Sequence, residues 1–142
     1  MNSNHFERFE TAIRRHVGGG DLRNLELARH GNFVTYYAPF DAINAAAKVV
    51  LVGITPGITQ AQNALVAARG ALETGATPED ALLAGKRTGA FSGPLRANLV
   101  DLLDRIELNA ALGIASCGSL FDTDAHLLHT TSILPFPVLK GG

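Results

Sequence analysis

Apolar positions recur with helical period at three places along this chain. Phe6, Phe9 and Ile13 stand three and four residues apart and predict a helix over Asn4–His16, ended by Gly18-Gly19-Gly20. Ala61, Ala64, Leu65, Ala68, Ala71 and Leu72 predict a helix over Thr59–Thr74, ended by Gly75. That stripe is made of small residues, so the helix can approach its neighbours closely. Leu95, Leu99, Leu102, Leu103 and Ile106 predict the core face of another helix, which begins at Pro94 or Leu95. Thr77-Pro78-Glu79-Asp80 opens a short helix, with a threonine cap, proline at the first helical position and acids where the dipole favours them. Asp21–His30 is a weaker helical stretch, and Asn109–Ile114 a short connector.

The strand signals differ in kind. Val49–Gly53 is an unbroken run of apolar residues and glycine, three of them valine, which predicts a strand buried on both faces inside a parallel sheet. Phe33–Tyr37 is a short aromatic strand that follows the turn signal Gly31-Asn32. His126–Leu134 predicts a second buried strand, interrupted by His129-Thr130-Thr131-Ser132 and ended by Pro135 and Pro137. Lys86–Pro94 is a glycine-punctuated loop that carries one aromatic, Phe91. Strands separated by helical crossovers imply an α/β fold. The expected form is a three-layer α/β/α domain spanning residues 1–142, with a short, mainly parallel sheet. Helices occupy residues 1–30 and the core residues 33–139.

Composition narrows the function classes. A chain of 142 residues with 46% apolar content is long enough for one domain, and one core is expected. No apolar run approaches membrane-spanning length, and the polar N-terminus is no secretion signal, so a cytoplasmic protein is expected. Net charge is −1, without the bulk basic charge of most nucleic-acid binders. The basic pairs Arg14-Arg15 and Lys86-Arg87 read as solvated faces rather than phosphate contacts. One cysteine, Cys117, excludes an internal disulfide and a four-cysteine metal or cluster site, and reads as a buried spectator. Phosphate-loop, dinucleotide and nucleophile-elbow motifs are absent. His126 and His129 lack the spacing of a zinc helix, so neither metal nor cofactor is expected.

Two polar stretches sit at strand ends. Thr55 lies in the turn Gly53-Ile54-Thr55-Pro56-Gly57, directly after the central strand, and His129–Ser132 lies in the later strand. If both strands run parallel, their carboxyl ends share one crevice, where open α/β sheets bind ligands. The same residues can equally serve as a plain turn, as hydroxyls capping backbone groups and as a satisfied core histidine.

The turn Gly53–Gly57 resembles the first motif of the uracil-DNA glycosylase superfamily, nearest to the G-I-N-P-G form of the mismatch-specific uracil/thymine glycosylases. Ala90–Leu99 is similar to the segment whose aromatic stacks on the base, and Leu127–Leu134 to the strand that reads the base edge. With Tyr37-Ala38-Pro39-Phe40-Asp41, the likeness covers most of residues 33–139 and points to an uncharacterised bacterial branch.

The resemblance implies a DNA partner, a flipped base in the crevice and hydrolysis of its N-glycosidic bond. It would place Thr55 where relatives carry Asn or Asp, and set Gly53, Ile54, Pro56 and Gly57 along the pocket wall. Phe91 would stack on the base, and His129 or Thr130 would read its edge. Relatives continue past this chain's last residues with another strand and a DNA-wedging loop. A monomer incomplete at its C-terminus, with an exposed sheet edge there, is therefore expected. Three readings stay open: a glycosylase, a base- or nucleotide-binding module without chemistry, and an α/β domain with no nucleic-acid role.

Overall fold

The computed structural model describes residues 4–141; residues 1–3 and 142, which the expected domain includes, lie outside the described residues. The helices are α1 (Asn4–Arg15), α2 (Ile58–Glu73), α3 (Pro78–Gly89), α4 (Pro94–Arg105) and α5 (Leu108–Leu112). The strands are β1 (Glu26–His30), β2 (Phe33–Tyr36), β3 (Val49–Gly53), β4 (Leu128–Ser132) and β5 (Val138–Lys140). The protein is mixed α/β, with two small sheets.

The first sheet is antiparallel, in the order β1-β2-β5, and the second is the parallel pair β3-β4. A mainly parallel sheet was expected, so this is a correction: among the described residues two of the five strands run parallel. The sequence Glu26–His30, expected to be helical, is instead a strand. Gly31-Asn32 turns the chain so that His30 pairs with Phe33, and the hairpin outweighs the high helix propensity of Glu-Leu-Ala-Arg. The three-residue β5 carries too short a pattern to be recognised without its partner β2.

The first core forms where α1 and α2 meet the antiparallel sheet. Phe6, Phe9 and Ile13 of α1 pack with Leu65, Ala68 and Leu72 of α2, with Tyr37 at the centre. The Tyr37 ring lies parallel to that of Phe9 at 5.0 Å, and its hydroxyl donates to Asp41 Oδ1 at 3.0 Å. Thr77 caps α3 by accepting from the Asp80 N–H at 3.1 Å, as its sequence predicted.

The second core lies between the β3-β4 pair, α4 and the turn Cys117–Phe121. Val49 and Leu51 face it, in register with Leu128 and Thr130. The alternate positions, Val50 and Val52, are 56% and 61% exposed. A strand buried on both faces was expected; the second face has no cover among the described residues. Leu95, Leu102 and Ile106 of the predicted α4 core stripe are exposed for the same reason, and Leu103 alone of that stripe is buried. β4 pairs only with β3 among the described residues; Asn44 Nδ2 donates to the carbonyls of His126 and Leu128 at 2.8 and 3.0 Å. Cys117 is buried, and burial together with its contact to the Asp104 carboxylate pushes its thiol up to about 11, too high for a reactive thiolate at neutral pH.

Candidate functional site

Parallel pairing of Gly53 with Ser132 brings the end of β3 and the end of β4 side by side. Phe91 covers that junction. A Cβ built on Gly53 would lie 3.6 Å from the Phe91 ring and 3.1 Å from Ser132 Oγ, so glycine lets the ring and the hydroxyl close over the strand end. The resulting recess measures about 20 Å³ and is lined by Phe40, Pro56, Gln60, Phe91 and Thr130–Ser132, among others.

The turn that holds Phe91 is built deliberately. α3 runs on through Gly89, so the first part of the expected Lys86–Pro94 loop, Lys86–Gly89, is helix. Phe91 then takes φ 53°, a left-handed conformation that costs a side-chain-bearing residue about 1–3 kcal/mol. Arg96 fixes the preceding turn by donating to the carbonyls of Ala90, Arg87 and Thr88 at 2.6, 2.8 and 2.9 Å, satisfying acceptors at the end of α3. Asn63 of α2 donates to Ser92 Oγ at 3.0 Å. Neither Arg96 nor Asn63 was singled out in the sequence, because their partners are backbone or non-local.

Of the expected site residues, Gly53, Pro56, Phe91 and Thr130 come together here. Thr55 is half-buried, and its hydroxyl donates to the Phe136 carbonyl at 3.2 Å. Ile54 and Gly57 are exposed, and Gly57 precedes α2 as its N-cap. His129 lines a different cavity. Its Nδ1 accepts from the Asn44 N–H at 3.3 Å, which leaves the ring proton on Nε2. Burial first, then the positive charge of Lys86, holds its pKa below the usual histidine range, so it is neutral at pH 7.

That second cavity is larger, about 340 Å³, and shares Ala90 and Thr130 with the recess. Lys86 was expected on a solvated face; it is buried, and its Nζ donates to the Ala42 carbonyl. The correction follows from α3 continuing past Gly85, which turns Lys86 inward. Burial pushes its pKa down to about 8, partly offset by Asp41. The unfolded chain holds that proton up to about pH 10.5, so it binds more protons than the fold between about 8 and 10.5. Lys86 should therefore contribute more stability as pH is raised from 8 to 10, while the raised Cys117 thiol contributes less above about pH 9. A urea midpoint that rises over this range relative to that of Lys86→Met checks it.

No group of three or more His, Cys, Asp or Glu side chains among the described residues is placed to hold a metal. No described helix is long and apolar enough to cross a membrane. Compared with known proteins, the chain is 41% identical over 104 residues, 72% of its length, to an uncharacterised protein, YoxB, of Bacillus subtilis (strain 168). It spans about two-fifths of the length of that relative. No family model and no solved structure matches.

Proposed function

We propose that this protein is uracil-DNA glycosylase-like: it takes an extrahelical uracil, or a related damaged base, into the recess under Phe91 and hydrolyses its N-glycosidic bond. One observation carries the proposal. An aromatic ring held in a strained backbone conformation lies over a glycine at the carboxyl end of a parallel strand pair, with hydroxyls opposite it. A flat ring with hydrogen-bonding edges complements such a surface. The recess at about 20 Å³ holds about one water, so a base enters only when the Phe91 turn swings outward. Release of the left-handed φ at Phe91 and of the Asn63–Ser92 hydrogen bond would accompany that movement.

In the reaction, water oxygen bonds to the sugar C1′ as the C1′–N bond breaks, and the base departs with a proton. Thr55 is neutral and cannot remove a proton near pH 7. Its own proton is directed at the Phe136 carbonyl and it stands outside the lining of the closed recess, so its oxygen lone pairs would orient a water once the Phe91 turn has swung outward. Thr131 and Ser132 hydroxyls supply donors to the departing base.

A second reading, base binding without hydrolysis, is favoured by the recess lining, which holds no carboxylate among the described residues. A single-turnover assay on uracil-containing single- and double-stranded DNA separates the two. The glycosylase reading predicts abasic sites, formed roughly a hundredfold more slowly by Thr55→Ala. Product from neither the native chain nor Thr55→Asn, with the uracil-containing DNA still bound, selects binding alone.

A further inference from the structure

The larger cavity has no part in the proposed hydrolysis, yet it has the size of a small-molecule site. Its wall is apolar where Leu120, Phe121 and Leu128 meet. Its polar side carries Lys86, Arg87, His126 and His129, and no Asp or Glu lines it among the described residues. These four groups come from two separate parts of the chain, the end of α3 and the entry to β4. They converge although the chain as a whole has net charge −1. Lys86 is buried, and its Nζ has a neutral carbonyl, Ala42, as its hydrogen-bond acceptor. Burial and then the charge of Lys86 hold the His129 pKa down, and the Asp41 carboxylate offsets the burial of Lys86 only in part. A bound anion would relieve both.

We infer that this cavity, separate from the recess under Phe91, is a binding site for a small organic anion: a phosphate or carboxylate group set against Lys86, Arg87, His126 and His129, on a flat apolar body that lies along Leu120, Phe121 and Leu128. Apolar area removed from water adds affinity that a bare inorganic anion lacks.

The test is a titration of the full chain with phenyl phosphate, benzoate and inorganic phosphate, followed through the His126 and His129 ring resonances. Saturable shifts of both rings are expected, with phenyl phosphate or benzoate binding at least tenfold more tightly than inorganic phosphate. The comparison of the two aromatic anions tells which head group the site prefers. Arg87 and His126 are exposed, so the double variant Arg87→Gln/His126→Gln keeps the fold; it should weaken binding about tenfold or more. Phe91→Ala should leave it unchanged. Absence of saturable shifts with all three probes, or equal binding by the double variant, overturns the site. Loss of binding in Phe91→Ala overturns its separation from the recess.

Discussion

Replacing Gly89 with alanine is expected to destabilise the protein by about 2 kcal/mol, although alanine is the better helix former. In an exposed helix interior the exchange is favourable by about 1 kcal/mol. At Gly89 a Cβ would stand 2.5 Å from Ala64 Cβ, 2.7 Å from the Gln60 carbonyl oxygen and 3.0 Å from the Ala64 nitrogen. Two of those atoms are backbone of α2 and cannot rotate away. Gly85, one turn earlier, would meet Pro39 at 2.6 Å and the Ala64 carbonyl at 2.9 Å. The two glycines thus let α3 lie directly on the Ala61–Ala68 stripe of α2. Overfilling such a contact costs about 1–3 kcal/mol beyond the lost propensity gain. Gly70 is the matched control: it sits inside α2 with nothing within 4 Å of its Cβ position. Gly70→Ala should raise the urea midpoint and Gly89→Ala should lower it. A rise in both would show that the two helices are not packed this closely.

Phe91→Ala should weaken binding of uracil-containing single-stranded DNA by about tenfold to a hundredfold. Stacking of a base on an aromatic side chain contributes about 1–3 kcal/mol, and each 1.4 kcal/mol is a factor of ten. The ring is half-buried rather than enclosed, and alanine inherits the same left-handed φ, so the effect on stability should be the smaller one. Fluorescence anisotropy with a labelled oligonucleotide gives the affinity, and a urea curve on the same variant shows that the fold persists. An unchanged affinity would remove Phe91 from any role in base recognition.

What the sequence disclosed depended on how local each signal was. The stripes at Phe6-Phe9-Ile13 and Ala61–Leu72 predicted α1 and α2 because each helix buries a full face. The Thr77 cap was legible because its partner is three residues away. The hairpin β1-β2 was missed in half, since Glu26–His30 becomes a strand only by pairing with Phe33–Tyr36. The α4 stripe over-predicted burial, because periodicity reports which face is apolar and not whether anything covers it. Gly53 and Phe91, which the fold brings together, were singled out through the resemblance of their segments rather than by any local rule. The inward turn of Lys86 was not legible, because a lysine beside an arginine reads as surface until α3 is known to continue past it.

The proposed function requires a base in the recess between Gly53, Phe91 and Ser132. A titration of the full chain with a short uracil-containing single strand, followed by backbone amide resonances, tests it directly. Saturable shifts centred on Gly53, Phe91, Thr131 and Ser132 are expected, together with their loss in Phe91→Ala. Shifts confined to the larger cavity, or none at saturating oligonucleotide, would contradict it.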